Sequence, residues 1–422
     1  MDKPTTKEYK VVIFDDETER ACEWKQALLA MGMGDLVAHV PEQKEIQEAL
    51  TQLHARRTAA DSSTSPYEIE CSLDSVDVLV VDYDLRLLEE HRGFATGEEI
   101  AYAARLFSKV KIIVVVNHPD IGLNDFDLTL QRDRNLKGDV YVGHEQIANP
   151  GLWRCNPGHN GFVPWCWPVL LEDAEHFDQC VAEVSAHWTD NILSYFGLDI
   201  DETRPSPEML AFLGMPRGGM TFEQIFSDPL DKRTRPFVRP KDLPPLLNDQ
   251  DRQSRVLTAL LKKWLRRWVM PAQTVLADAP HIAVAFPWGL EDYQSEAQWK
   301  EIHSKGRCNA MNLNGIFKAE IIAHSFKLPE WVGRPAFYSQ KVSIALEGAG
   351  LPLNSFEFGK LPKLLFAEDL SRFIPTDEAF EYDLTLDGQA QVRAVRKPDC
   401  TTILDTPFDP KSVVYVPQSL MT

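Results

Sequence analysis

The sequence predicts an α/β N-terminal half, a doubly wound parallel five-stranded sheet, followed by a C-terminal α+β domain. Three observations carry this prediction. Short, almost continuously apolar segments alternate with amphipathic ones between residues 11 and 142. Strands apolar on both faces, separated by helices, mark a parallel sheet covered on both sides. Beyond residue 201 the alternation is lost, and a Pro-rich stretch leads into apolar segments of mixed type.

Residues 11–14 form a β-branched and aromatic run, read as the first strand, and it ends in Asp15-Asp16-Glu17. Residues 18–30 follow as a helix, because Ala21, Trp24, Ala27, Leu28 and Met31 recur at spacings of three and four. Residues 35–40 are a weaker second strand, and 42–53 a helix with Ile46, Leu50 and Leu53 on one face. The Ser, Thr and Ala of 58–66 predict a loop. The third strand, 76–81, runs into Asp82; a helix over 96–107, a strand over 111–116 and a last short strand over 139–142 complete the sheet.

Residues 149–168 interrupt the pattern with Trp153, Trp165 and Trp167 among Pro and Gly. A long helix is expected over 170–196, from the spacing of Ala174, Phe177, Val181, Val184, Trp188 and Ile192. Residues 201–249 read as a connecting segment. In 251–270, Leu257, Leu261, Trp264, Leu265 and Trp268 make an apolar face, and Lys262, Lys263, Arg266 and Arg267 are expected on a solvated rim. Asp387-Gly388 between alternating residues predicts a hairpin over 384–392. The expected domains are 8–197, a linker over 198–250, and 251–422.

The chain has 422 residues, enough for two or three domains. The net charge of −19 argues against broad nucleic-acid or anionic-membrane binding, since such a surface is repelled by phosphates. Seven scattered cysteines without a CxxC pair fit free thiols. No signal peptide and no membrane-length apolar run are visible, so a cytoplasmic protein is expected.

In a parallel sheet, functional groups gather beyond the carboxyl ends of the strands. Asp15 and Asp16 end the first strand and Asp82 ends the third, so the three can meet in one pocket. Carboxylates that close raise each other's pKa unless a cation sits among them. Mg²⁺ is the expected cation, being hard and oxygen-loving, and a carboxylate beside it can take up a phosphoryl group.

These segments, 11–17 with its DDE and 77–85 with Asp82-Tyr-Asp84, resemble the receiver domain of two-component response regulators. The resemblance covers roughly the first half of the chain. It implies a flavodoxin-like sheet, Asp15 and Asp16 as the Mg²⁺ pair, Asp82 as phosphoacceptor and metal ligand, and Asp84 as a backbone carbonyl donor to the metal. It implies a histidine kinase as phosphate donor, a further signalling or effector protein as partner, and no catalysis beyond self-dephosphorylation. Gly97-Glu98 resembles the small-residue step of the family, and Tyr141 its switch aromatic. Two positions depart from the pattern: Asn117 stands where receivers carry Ser or Thr, and His144 where they carry Lys. Imidazolium replaces that cation only near or below its unperturbed pKa of about 6.5.

Several readings of the whole chain stay open. One is a regulator or phosphate sink in a bacterial phosphorelay, by analogy with receiver proteins of some phage-defence systems. The others are a pseudo-receiver used for assembly, or a receiver that gates an enzyme in the C-terminal half. That half shows no P-loop, GxSxG or HExxH signature. Asp278, His281 and Arg334 suit an enzyme site or plain turns equally. His144, Cys155, His159 and Cys166 match no common zinc spacing and are read as part of an aromatic packing loop.

Overall fold

Val78, Leu79, Val80 and Val81 are fully buried, as are Ile113 to Val116, which places both segments in the interior of a sheet covered on both faces. The computed structural model describes residues 8–62, 66–83, 85, 96–117, 138–155, 168–227, 238–239, 242–287, 290, 292–299, 302, 319–348, 362–367, 372–386 and 389–396. The strands are β1 (Tyr9–Phe14), β2 (Leu36–His39), β3 (Val78–Asp82), β4 (Ile112–Asn117) and β5 (Val140–Gly143). Their order is β2-β1-β3-β4-β5, with every neighbouring pair parallel. This is the flavodoxin-like order, in which the chain reverses its direction of travel between β1 and β3 and leaves a crevice there.

Three helices flank the first four strands: α1 (Thr18–Ala30), α2 (Gln43–Asp61) and α3 (Gly97–Phe107). Right-handed crossovers put α1 on one face and α2 and α3 on the other, and α2 and α3 touch. Helix α2 starts with a reciprocal capping box between Glu42 and Glu45, and it runs eight residues past the expected end at 53. Arg56 explains the extension. It is buried on α2 and donates to Asp74 and to the carbonyls of Ile69 and Phe107.

The chain divides into two compact units. The first comprises residues 1–154, 169–188 and 222–260, and the second 155–168, 189–221 and 261–422. The division falls inside the helix Gln250–Trp264, between Leu260 and Leu261. Residues 201–249, expected as a connecting segment, carry short helices at Pro207–Leu213, Gln224–Ser227 and Leu243–Leu247. Within the first unit, Asp242 accepts from Arg57 of α2 and Tyr102 of α3, and the Arg239 guanidinium meets Glu99.

The second unit is helical with small sheets. The strands β6 (Leu276–Asp278) and β7 (Ala336–Tyr338) pair antiparallel. The strands β8 (Leu364–Ala367), β9 (Arg372–Pro375), β10 (Ala379–Leu386) and β11 (Gln389–Arg396) form a sheet of order β10-β11-β8-β9. The β10–β11 ladder is the hairpin expected around Asp387-Gly388, although those two residues lie outside the described set. Ile282, Trp299, Phe337, Phe366 and Phe373 pack in one core cluster. The Tyr338 hydroxyl donates to the carbonyl of Phe196 at 2.8 Å.

Three expectations are corrected. The helix predicted over 170–196 ends at Ala186, and Asn191 starts a separate turn by accepting from the amides of Leu193 and Ser194. The asparagine side chain satisfies amides that have no partner in a preceding turn, so a separate helical turn starts here. The expected basic rim of 262–267 is partly interior: Lys262 and Arg266 are buried, and the Lys262 ammonium donates to the carbonyl of Glu330 at 2.7 Å. Among the described residues, Cys22, Cys71 and Cys180 form no disulfide, but Cys155 is disulfide-bonded. Pairing depends on the distance and direction of Cβ atoms in the fold, which the spacing of cysteines along the chain does not disclose. Among the described residues no helix is long and apolar enough to cross a membrane.

Candidate functional site

Strand register brings the predicted acidic residues to one edge. Phe14 pairs with Val81, so Asp15 lies level with Asp82, and Asp82 itself pairs with Val116. Asn117 closes β4 opposite Gly143, and His144, half-buried, opens the turn His144–Ala148 immediately after β5. Asp15 with the adjoining Asp16, Asp82, Asn117 and His144 therefore belong to the carboxyl ends of the parallel strands, where the crevice opens. Asp84 lies outside the described residues.

Asp15, Asp16 and Asp82 are buried, and one oxygen of each lies within 4.8 Å of the others. Among the described residues this is the one group of His, Cys, Asp or Glu with such geometry. Three buried carboxylates repel one another, and the chain answers with a cation that the sequence reading missed. Arg20, in the first turns of α1, grips Asp15 through Nε at 2.7 Å and Nη2 at 2.7 Å. The same Nη2 lies 2.8 Å from Asp82 Oδ2 and 3.8 Å from Asp16 Oδ1. The guanidinium pKa is raised, chiefly by its hydrogen bonds to Asp15. The available signal was the spacing: Arg20 follows Asp16 by one helical turn, which carries a long side chain back over the strand end.

Asp82 is 1 % exposed, and its Oδ2 takes the Arg20 bond while its Oδ1 is buried with no hydrogen-bond partner among the described residues. Burial, and after it the charge of Asp15, pushes the Asp82 carboxyl up to about 7, against the pull of Arg20. An uncommitted buried carboxylate oxygen beside two further carboxylates suits a hard divalent cation such as Mg²⁺. Asp15, Asp16 and Asp82 are the side chains that would hold it.

The wall of the site depends on a glycine. The amide of Gly97 donates to the carbonyl of Tyr83 at 2.9 Å. A Cβ on Gly97 would stand 2.0 Å from the backbone oxygen of Asp82, so only glycine lets α3 start this close to the end of β3. The next residue, Glu98, accepts from the Tyr141 hydroxyl at 3.3 Å, and the Gly138 amide donates to that hydroxyl at 3.2 Å. Tyr141 is buried in this arrangement.

The polar residues of the second unit also converge. Asp278 caps the helix Ala279–Ala285 by accepting from the His281 amide, and its Oδ1 lies 2.5 Å from His281 Nδ1. Arg334 Nη1 donates to the other oxygen at 3.3 Å. Burial opposes the charge of Asp278, but His281 and Arg334 outweigh it and hold the carboxyl at about 2. Both oxygens are thus engaged by residues that join β6 to the segment before β7, which makes this cluster a clamp. Of the His144, Cys155, His159 and Cys166 set, His159 and Cys166 lie outside the described residues.

No protein-family model matches the chain, and neither a curated protein nor a solved structure matches it significantly.

Proposed function

We propose that the first unit is a receiver-type phosphoacceptor, in which Asp82 takes a phosphoryl group from the phosphohistidine of a histidine kinase, with Mg²⁺ held by Asp15, Asp16 and Asp82. The observation that carries this reading is the trio of buried aspartates at the carboxyl edge of a 2-1-3-4-5 parallel sheet, with one Asp82 oxygen left uncommitted. In the transfer, the phosphorus–nitrogen bond breaks as a phosphorus–oxygen bond to the Asp82 carboxylate forms, and the imidazole leaves with the electron pair of the broken bond. Bound Mg²⁺ supplies positive charge to the phosphoryl oxygens and favours the ionised carboxylate. Asp82 must be ionised to attack, and burial raises its pKa, so a divalent cation beside it would favour the attacking form near neutral pH. Asn117 and His144 are proposed as the groups that meet the phosphoryl oxygens from β4 and β5. As neither matches the hydroxyl and ammonium usual in receivers, a weak switch or a phosphate sink fits them better than a strong switch.

A pseudo-receiver is the second reading, and the geometry of Arg20 favours it: one side chain already answers all three carboxylates without a metal. Intact-mass measurement after incubation with acetyl phosphate and Mg²⁺ separates the two. The phosphoacceptor reading expects one added phosphate that disappears with EDTA and in Asp82→Asn. Equal labelling of wild type and Asp82→Asn, or none in either, leaves the pseudo-receiver.

A further inference from the structure

We infer that Arg20 is a tethered cation that competes with the divalent metal for the aspartate cluster and so sets the metal affinity of the site, an inference that rests on the metal-binding part of the reading above. A single nitrogen, Nη2, reaches Asp15 at 2.7 Å, Asp82 at 2.8 Å and Asp16 at 3.8 Å. With Nε it also commits both oxygens of Asp15. A Mg²⁺ ion demands carboxylate oxygens at about 2.0–2.1 Å in near-octahedral order. Each guanidinium bond occupies a lone pair of Asp15 or of Asp82 Oδ2 that the ion would otherwise use, and holds those oxygens where the guanidinium needs them. Even where steric room remains, a fixed positive charge beside the ion lowers its affinity.

The position of Arg20 is built into the fold. Its side chain is 17 % exposed, and its guanidinium carbon lies 5.8 Å from the ring of Trp24, one helical turn further along α1 and itself buried. A second acceptor waits outside the cluster: Glu17 Oε2 lies 3.6 Å from Arg20 Nη1, and the Glu17 side chain is 60 % exposed. A short swing toward Glu17 releases the three aspartates without leaving the guanidinium unpaired. The orphaned Oδ1 of Asp82 is the oxygen that stays open to an incoming ion while Arg20 is still bound.

Calorimetric titration of Mg²⁺ into the EDTA-stripped full chain tests this, with wild type, Arg20→Gln, Arg20→Lys and Asp82→Asn. Removing the charge-assisted bonds of Arg20 to Asp15 and Asp82 predicts that Arg20→Gln binds Mg²⁺ about tenfold tighter than wild type or more. Arg20→Lys, which keeps a charge but cannot form the two-point bond to Asp15, falls between them. Arg20→Gln also gains more melting temperature from Mg²⁺ than wild type does. Unchanged or weaker affinity in Arg20→Gln overturns the competition while leaving the metal site standing. Absence of Mg²⁺ binding in wild type and in both Arg20 variants overturns the metal reading itself. If Arg20→Gln does not fold in EDTA, Arg20→Lys decides, since an affinity equal to or below that of wild type excludes competition.

Discussion

Asp82 and Asp278 are both almost completely buried aspartates, yet their surroundings move them in opposite directions. Asp278 gains a histidine and an arginine, so its contribution to stability is present above its unfolded pKa and is lost only as pH falls toward about 2. Asp82 is pushed up to about 7 from 3.8, mainly by burial. Between those values the folded, metal-free protein holds a proton that the unfolded chain has released, so stability falls as pH rises through this window. In EDTA, urea midpoints of the wild type should therefore drop between pH 5 and pH 7.5 more than those of Asp82→Asn, and Mg²⁺ should restore the wild type at the higher pH. Parallel midpoints for the two proteins would contradict the burial argument. Asp82 was readable as a site residue because it ends an apolar run; Arg20 was not, because an arginine on the first turns of an amphipathic helix is ordinarily solvated.

Elements here are positioned by a few close approaches. The N-terminus of α3 rests on the last residue of β3 because Gly97 has no side chain. Gly97→Ala should cost about 3 kcal/mol or more, since the obstructing atoms are backbone and cannot turn aside. It should also weaken Mg²⁺ binding, because the strand end that carries Asp82 must shift. Urea denaturation and calorimetry read these two effects, and a neutral substitution would mean that α3 starts elsewhere. Arg56 joins α2 to the segment before β3 and to the end of α3, with bonds of 2.7 and 2.6 Å to Asp74. Its side chain is buried, so Arg56→Leu should cost about 3 kcal/mol by stranding the carbonyls of Ile69 and Phe107 and the Asp74 carboxylate. Arg56→Lys should recover little of this, because an ammonium cannot reproduce the planar fork. Recovery by lysine to the wild-type midpoint would show that charge alone matters there.

Across the molecule the net charge of −19 opposes compaction. Raising NaCl from about 0.05 to about 0.3 M should raise the melting temperature in EDTA, as screening acts within roughly a Debye length. Mg²⁺ should add a further rise at constant ionic strength that Asp82→Asn lacks. Equal rises with Mg²⁺ and with an ionic-strength-matched sodium salt would reduce the effect to screening.

The order of elements in the first unit was legible in the chain because it rests on local pattern. Apolar runs of four to six residues, separated by helical periodicity, specify strands that must be buried on both faces, and α1 falls at Thr18–Ala30 as its spacing requires. The acidic edge was legible for the same reason, since Asp15, Asp16 and Asp82 stand where two such runs stop. Contacts between residues distant along the chain, or set by three-dimensional direction, were not legible. The burial of Arg56, Lys262 and Arg266, the docking of Asp242 on α2 and α3, the disulfide at Cys155 and the convergence of Asp278, His281 and Arg334 all depend on which surfaces meet after folding. Arg20 stands at the border of the two classes: its helix was predictable from periodicity, but its place as the counter-charge of three buried aspartates required the strand register that brings Asp82 level with Asp15.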